Sequence, residues 1–404
     1  MTKTKVLPVI IVLALLTLAG MGAWIYQLAN GLAVTGMNNG TSWGLYITCF
    51  MFFVGLSAGG LIVASSASVF GIKDYKKVAR PAILLSTVCI VAAAAFILVD
   101  LGSVQRVFNL IIHPNFTSPL MWDVVVITLY LVINIIYLVL MTRSSSGERA
   151  LAVTSRFALP VAILVHSVTA WIFGLQIAKA GWYSAILAPL FVASALDSGL
   201  ALLLIVLGIL NATGTFKTEK RLLTSLAGLL VVCIAIDGFM VGCEVLTMAY
   251  PGADATVLAV MTSGATAPLF WGEVVIGLIV PFCLLVFSRI RENMVAVTVV
   301  SALVVVGVFF KRAWLLLSSF GPLNIEGAPG VTYGRSALEG TGMWELVGSY
   351  MPTWVEGMVA LGIIALATLL FVLLAQKVLV TSDKVKAAPV VAVDGDAAQE
   401  AVIA

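Results

Sequence analysis

Residues 100–123 concentrate chemically active side chains in a chain that has few of them elsewhere. They include Asp100, Arg106, His113, Asn115 and Trp122. Such groups can donate hydrogen bonds to carbonyl oxygens, and the carboxyl and imidazole groups can also carry protons. The stretch leaves one long apolar segment and enters another, which places it at a membrane surface. Because a quinone head group needs donors, proton carriers and an apolar slot open to lipid, the stretch predicts much of a quinone site.

Each of these residues also has a purely structural interpretation. Asp100 could mark a helix end while Arg106 binds lipid headgroups, and His113 could be a solvated loop residue. Trp122 follows a proline at a helix start, where an interfacial belt of aromatic residues is expected. The residues alone leave both interpretations open.

A second set of ionisable residues lies inside predicted membrane spans, where charge is costly and commonly functional. Counted along the helices, three lie near the middle: His166, Asp197 and Asp237. Others lie toward the outer face: Asp123, Glu244, Glu273, Lys311, Arg312 and Glu356. Asp237 and Glu244 are seven residues apart and share a helix face. We predict proton transfer through His166, Asp197, Asp237 and Glu244, with Arg312 and Glu273 as further outer-face charge.

These buried groups have structural alternatives as well. Asp123 and Glu273 each follow a proline within a turn or so, where a carboxylate complements the helix dipole, and this role is favoured for both. His166 and Asp197 could be mutual polar partners between helices. The small residues 57–60 favour close helix packing.

The composition indicates the class of protein. Apolar residues make up 61% of the 404 residues and charged residues 10%, whereas an ordinary soluble domain carries roughly 25% charge. The prediction is an all-α polytopic membrane protein whose helices are near the roughly 20 residues that a span requires. We predict ten helices, at about 6–30, 43–71, 80–101, 121–142, 156–178, 183–210, 222–249, 268–288, 293–311 and 352–376. The net charge of +3 says little about partners, and no nucleic-acid partner is expected.

The distribution of lysine and arginine predicts the orientation. The termini and alternate loops hold most of them, and the opposite loops hold only Arg106, Lys179, Lys311, Arg312 and Arg335. By the positive-inside rule, both termini are predicted to be cytoplasmic in an inner-membrane protein, and residues 100–123 face outward.

The metal-binding residue types are sparse. The five cysteines lie singly in apolar segments without a CxxC pair, so no metal or iron–sulphur cluster is expected in this chain. The two histidines are predicted at different depths, which does not favour a bis-histidine haem.

An internal repeat predicts the domain organisation. Thr117–Trp122 recurs as Thr266–Trp271, and Trp43, Phe52 and Gly60 have the spacing of Trp182, Phe191 and Gly199. Helices 2–5 and 6–9 are therefore predicted to be parallel copies of one four-helix bundle, flanked by helices 1 and 10. The predicted units are a first helix and outer loop at 1–42, bundles at 43–180 and 181–312, an outer loop at 313–351, a last helix at 352–381 and a disordered cytoplasmic tail at 382–404.

Several segments, taken in order, resemble a known family. Trp43–Tyr46, Phe53–Gly59, Asp100–Gly102 with Arg106, Pro114–Asn115 and Ser118–Trp122 are similar to NrfD/PsrC-type integral membrane subunits. That family includes the membrane subunits of polysulphide, tetrathionate and nitrite reductases and subunits of alternative complex III. The similarity covers roughly helices 2–9.

The resemblance implies a haem-free, quinone-reactive membrane subunit of a respiratory oxidoreductase complex. It implies a quinone or quinol site near the outer face, with menaquinone the expected quinone. It also implies a ferredoxin-like iron–sulphur subunit docked there, often with a molybdopterin catalytic subunit beyond it. The matching site positions are Trp43, Asp100, Arg106, His113 and Asn115, while Asn39 lies where the family often has site residues.

Two other functions are weighed against this one. A proton-coupled secondary transporter commonly has broken helices and a polar cavity at the midplane, whereas here the polar groups cluster toward one face. A passive anchor would need the same residues for binding its partner and not for quinone turnover.

Overall fold

The computed structural model describes residues 3–38, 40–69, 71–143, 147–252, 254–321 and 350–379. Within these ranges ten helices are long and apolar enough to span a membrane, which confirms the predicted all-α polytopic architecture. In chain order they are α1 (Lys3–Asn30), α2 (Leu45–Val69), α3 (Ala79–Asp100), α4 (Pro119–Thr142), α5 (Glu148–Gly174), α6 (Leu187–Ala212), α7 (Lys220–Ala249), α8 (Ala267–Leu285), α9 (Met294–Ser318) and α10 (Trp354–Val378). Asn39, most of the predicted outer loop and the predicted tail lie outside the described residues.

Two helices extend past their predicted bounds. α5 begins at Glu148, and its added turns carry the exposed Arg149. α9 continues to Ser318, through the basic pair that was taken for the start of an outer loop. Basic side chains mark a helix end only when they reach water, and both members of this pair are fully buried.

Because each of the ten helices is long and apolar enough to cross the membrane once, successive helices run in opposite directions. The ends of α1, α3, α5, α7 and α9 therefore lie on one side of the molecule, which we name the Asp100 end. Short helical segments lie at this end, at Val104–Phe108, Asn109–Ile112 and Ala255–Thr262. These segments precede α4 and α8, which are the equivalent helices of the two repeats.

The helix contacts have the symmetry of the repeat. α2 packs against α3 and α5, and α4 packs against α5; in the same way α6 packs against α7 and α9, and α8 packs against α9. α2 and α6 join the two bundles, while α1 and α10 pack together and α10 also contacts α3. At the α2–α6 crossing a Cβ added to Gly59 would overlap the backbone of Gly199, so the close approach requires glycine there.

Candidate functional site

Asp100 is the last residue of α3, and its Oδ1 atom is buried without a hydrogen-bond partner among the described residues. The preceding carbonyl is held by α1, because Gln27 Nε2 donates to the Val99 oxygen at 2.8 Å. Gln27 Oε1 accepts a hydrogen bond from the Tyr46 hydroxyl at 2.6 Å. Tyr46 and Glu356 both lie close enough to Asp100 to interact with it electrostatically. Residues from α1, α2 and α10 thus surround a carboxylate that has an acceptor atom free for a ligand.

Trp43, just before α2, lies in an aromatic cluster at the junction of the two bundles. Its ring stacks on that of Trp182, its repeat counterpart, with centroids 6.0 Å apart and planes at 19°. Phe173 packs edge-on against both rings, and Trp182 Nε1 donates to the Leu315 carbonyl at 3.1 Å. Trp43 therefore faces the second bundle, and the first turn of α2 connects it to the surroundings of Asp100.

Three of the other predicted quinone-site residues lie on the segment between α3 and α4, and Trp122 lies near the start of α4. Arg106 belongs to the short helix Val104–Phe108, and His113 and Asn115 follow the next short helix. All three side chains are exposed. The structure keeps them at the Asp100 end but places them on its surface.

Two of the predicted site residues already make hydrogen bonds within the local fold, Asn115 as an acceptor and Trp122 as a donor. Asn115 Oδ1 accepts hydrogen bonds from the backbone nitrogen and the hydroxyl of Thr117, at 3.1 and 2.7 Å. Trp122 Nε1 donates to the Phe116 carbonyl at 2.6 Å. The repeat counterpart of this indole, Trp271, donates to a carbonyl of its own preceding segment in the same way. The indoles thus fix the entry of the chain into α4 and α8.

A cluster of buried charges occupies the interior of the second bundle. Lys311 Nζ donates to both carboxylate oxygens of Asp237, at 2.6 and 2.7 Å. The same nitrogen lies 3.0 Å from Glu273 Oε1, and the other oxygen of Glu273 accepts from Trp314 Nε1. All three charged side chains are buried. One ammonium group therefore neutralises part of the charge of two carboxylates inside the membrane-spanning region.

Local backbone features bring Glu273 to Lys311. α8 and α9 approach so closely at Gly277 and Gly307 that a Cβ on Gly277 would lie 2.6 Å from the Gly307 Cα atom. The two helices are antiparallel, so the residues one turn from this crossing toward the Asp100 end face each other. Glu273 also lies in a π-helical stretch, Gly272–Ile279, a distortion that is frequent at functional sites.

Arg312 points from α9 toward α6 and the first bundle. Its Nη2 atom donates to Ser194 Oγ at 2.6 Å, and its guanidinium carbon lies 4.0 Å from the Phe191 ring centroid. Its Nε and Nη1 atoms and both carboxylate oxygens of Asp197 are buried without hydrogen-bond partners among the described residues. Arg312 and Asp197 interact electrostatically.

His166 reaches this junction from α5. Its Nε2 atom lies 3.0 Å from the Val54 carbonyl oxygen, and its Nδ1 atom lies 2.6 Å from the Ala162 carbonyl oxygen. A neutral imidazole can donate to only one of these acceptors. The residue after Val54 is Gly55, where an added Cβ would lie 3.6 Å from Arg312 Nη2. Adjacent residues of α2 therefore contact the histidine, through the Val54 carbonyl, and approach the arginine, at Gly55.

Glu244 lies apart from the cluster. Its Oε2 atom accepts a hydrogen bond from Ser184 Oγ at 2.8 Å, near the Asp100 end. Seven residues of α7 separate it from Asp237, which corresponds to about 10 Å along the helix. The two acids share a helix, as predicted, but have different partners.

The family comparison covers the region that carries this geometry. Residues 33–321 match the model of the family described as "Polysulphide reductase, NrfD". The chain belongs to the NrfD family. The match includes α2 to α9 with Trp43, Asp100 and the buried cluster, and it ends before α10.

Three NrfD-like relatives span nearly the whole chain. A putative membrane subunit of dimethyl sulfoxide reductase from Halobacterium salinarum is 37% identical, over 89% of this chain and 88% of that protein. An Hdr-like menaquinol oxidoreductase integral membrane subunit of Archaeoglobus fulgidus is 28% identical, over 90% and 91%. A selenate reductase subunit of Mesobacillus selenatarsenatis is 24% identical, over 91% and 92%.

The geometry of this NrfD protein changes the interpretation of two predicted residues. Arg312 and Glu273 were expected as outer-face charge, with Glu273 complementing a helix dipole. Both are buried within the second bundle, and the Glu273 carboxylate binds Lys311 and Trp314. Asp123, its near counterpart, accepts a hydrogen bond from the Thr169 hydroxyl at 2.7 Å. These acids near the starts of α4 and α8 thus bind donors on α5 and α9.

Residues that the sequence pattern did not assign to a site complete both regions of the NrfD protein. Lys311 joins Asp237 to Glu273. Two acids inside membrane spans need a nearby cation, and this requirement could have identified Lys311 from the sequence. Gln27 and Tyr350 lie around Asp100 and Trp43 without any motif in the sequence, and the Thr-x-x-Glu motif that ends at Glu356 indicates a helix start and not a site. Their contacts depend on how α1 and α10 pack against the first bundle.

Proposed function

We propose that this protein is the quinone-reactive, haem-free membrane subunit of a respiratory oxidoreductase complex. The observation that supports this most directly is the buried carboxylate oxygen of Asp100, which has no hydrogen-bond partner in the part of the chain that the structure describes. It lies at a helix end within the region that matches the NrfD family. A quinol hydroxyl needs such an acceptor for its hydrogen bond and its proton. Trp43 and the aromatic rings around it supply a flat apolar surface in the same bundle.

The redox chemistry requires partners. Oxidation of a quinol releases two electrons and two protons, and the reverse reaction takes them up. We propose that the electrons pass to or from a ferredoxin-like iron–sulphur subunit at the Asp100 end, with a molybdopterin catalytic subunit beyond it. The relatives are named as subunits of a menaquinol oxidoreductase and of two reductases, which is consistent with this and favours menaquinone as the substrate.

The exposed residues of the α3–α4 segment have a different role in this proposal. Arg106, His113 and Asn115 lie at the membrane surface, where they can bind the partner or the quinone head group as it enters. Trp122 fixes the same segment through its bond to the Phe116 carbonyl. Asn39 is proposed as a further site residue from its position alone.

The charge distribution supports an orientation. Exposed basic residues at the end opposite Asp100 include Lys76, Lys77, Arg143, Arg149 and Lys220. By the positive-inside rule we propose that this end and both termini are cytoplasmic in the inner membrane, so that Asp100 and the partner face outward.

A second proposal concerns protons. His166, Asp197 and Asp237 lie in one buried region with Lys311 and Arg312, and such groups inside spans commonly relay protons. Glu244 lies between this region and the Asp100 end. We propose that these four predicted residues carry protons between the quinone site and the opposite side, with Glu273 and Arg312 setting the local charge. The relatives are named as oxidoreductase subunits, which does not favour the alternative of a proton-coupled transporter.

The variant Asp100→Asn tests the quinone proposal. It keeps the shape of the side chain but removes its ability to accept a proton, so quinol-linked turnover should fall on the order of 100-fold. Quinol-driven turnover of the purified complex is measured while a quinone analogue is titrated as an inhibitor. Assembly is measured by the amount of co-purified partner. The matched control is Asp74→Asn, an exposed acid at the opposite end.

Normal turnover in Asp100→Asn would remove Asp100 from the site. Loss of turnover together with loss of the partner would indicate a passive anchor instead. A wild-type chain that purifies alone, shows no iron–sulphur absorbance and does not respond to quinone analogues would support the proton-coupled transporter instead.

A further inference from the structure

The segment that leads into Trp43 is held by residues just before and within α10. The backbone nitrogen of Gly36 donates to Glu356 Oε2 at 2.8 Å. The backbone nitrogen of Leu45 donates to the Tyr350 hydroxyl at 2.7 Å, and that hydroxyl donates to Glu356 Oε1 at 2.6 Å. Tyr350 and Glu356, which we name the α10 clamp, therefore bind both ends of the segment 36–45.

Steric fit reinforces these hydrogen bonds. A Cβ added to Gly36 would overlap the Met351 carbonyl oxygen, and a Cβ added to Gly44 would overlap the Tyr350 ring. Only glycine allows the chain to lie this close to residues 350 and 351 at both positions. The segment is thus packed against residues 350 and 351 at both of its ends, and Trp43 is the neighbour of one of these contacts.

The clamp differs from Asp100 in how its polar atoms are satisfied. Glu356 is fully buried, and both of its oxygens accept hydrogen bonds, from Gly36, Tyr350 and the backbone nitrogen of Thr353. Burial and the neighbouring carboxylate raise the pKa of the Tyr350 phenol above its ordinary value, so Tyr350 stays a donor. Asp100, which interacts electrostatically with Glu356, retains a buried oxygen without a partner among the described residues. Glu356 is therefore committed to structure, while Asp100 is free to bind a ligand.

We propose that Tyr350 and Glu356 are positioning residues of the quinone site, which hold the segment bearing Trp43 in place relative to Asp100. This inference rests on the proposed quinone function. The residues lie beyond the stretch that matches the NrfD family model, which ends at residue 321. α10 then contributes to ligand binding through the loop between α1 and α2, without touching the ligand.

The variant Tyr350→Phe tests the proposal in the intact complex. It keeps the ring that packs over Gly44 but removes the hydroxyl that joins Leu45 to Glu356. The Kd of a quinone analogue and the KM for quinol should both rise about tenfold, the effect of leaving a buried hydrogen-bonding group unpaired. The value of kcat should change less than KM, and the amount of assembled complex should stay at the wild-type level.

Two further variants make the test specific. Glu356→Gln keeps the shape of the side chain and an acceptor for Gly36, so its effect on the analogue Kd should be smaller than that of Tyr350→Phe. Tyr250→Phe is the matched control, because Tyr250 is 90% exposed near the same end of the molecule. It should bind the analogue as the wild type does.

An assembled Tyr350→Phe complex with wild-type Kd and KM would overturn the inference. A lower yield of complex whose remaining molecules bind the analogue normally would also overturn it, because the clamp would then be structural only. If Tyr350→Phe does not assemble, Kd and KM of Glu356→Gln are compared with those of the wild type instead. The proposed function fails separately, in a wild-type complex that ignores the analogue or an Asp100→Asn complex that turns over normally.

Discussion

The two four-helix bundles share their helix packing but have different interiors. The centre of the first, α2 to α5, is a network of uncharged groups formed by Ser57, Ser86, Tyr130 and Asn134. The two serine hydroxyls and the tyrosine hydroxyl lie within 2.9–3.2 Å of each other, and Asn134 Oδ1 accepts from Ser86 at 2.8 Å. The interior of the second bundle instead holds the ionic cluster of Lys311, Asp237 and Glu273.

This difference indicates how one duplicated scaffold serves two tasks. Hydroxyl and amide groups satisfy one another without gaining or losing protons, so they specify helix packing and little else. Buried carboxylates and cations can exchange protons, but they also make stability depend on charge balance. We infer that the first bundle supplies a rigid frame for the quinone site at its end, and that the second bundle, together with His166 of the first, supplies the groups that can carry protons.

Lys311→Met should have the largest effect of the variants that test this comparison. It leaves Asp237 and Glu273 buried without their shared cation, and breaking such a pair costs on the order of 3–5 kcal/mol. The folded chain should therefore be strongly depleted from the membrane. The amount of assembled complex and its thermal stability measure this directly.

The double variant Asp237→Leu with Lys311→Met is the control for that loss. It removes one charge of each sign, and Glu273 keeps its hydrogen bond from Trp314. Assembly should recover most of the way to wild type. If the single variant assembles as well as the double variant, charge balance does not stabilise the second bundle.

The sequence predicts the scaffold better than the interiors. Ten long apolar runs correspond to ten helices because a bilayer admits few other structures. The Thr-x-Pro-Leu-x-Trp repeat predicts equivalent helices, and Trp122 and Trp271 make equivalent bonds. Asp100 is at the end of α3, as its place after an apolar run suggests.

The pairing of buried charges could not be deduced in the same way. Lys311 and Glu273 meet only because α8 and α9 cross at Gly277 and Gly307, and no local signal states which glycine of one helix meets which of another. The adjacent basic residues at 311 and 312 resembled a helix end because their compensating acids lie on other helices. The hydrogen bond between Glu356 and Gly36 could not be deduced for the same reason, because the two residues lie at opposite ends of the sequence.

Asp197→Ala should have an intermediate effect that is confined to protons. The variant removes a carboxylate that interacts electrostatically with Lys311 and Arg312, and it changes none of the residues around Asp100. The affinity for a quinone analogue should stay within about twofold of wild type, because the free-energy change at the distant site is small. Proton release or uptake during turnover, followed with a pH indicator in proteoliposomes, should fall. A loss of analogue binding would instead place the quinone near the junction of the bundles.

Tyr130→Phe should have the smallest effect. The variant removes one hydroxyl from the first bundle, but Ser57 Oγ still donates to the Ser86 carbonyl at 3.0 Å and Ser86 Oγ still donates to Asn134. The loss should be about 1 kcal/mol of stability, typical of a single neutral hydrogen bond, with quinol turnover unchanged. Thermal unfolding of Tyr130→Phe beside Lys311→Met measures the contrast between the bundles. Equal destabilisation of the two variants would mean that the neutral network contributes as much to stability as the ionic cluster. The proposed division of tasks between the bundles would then lose its physical basis.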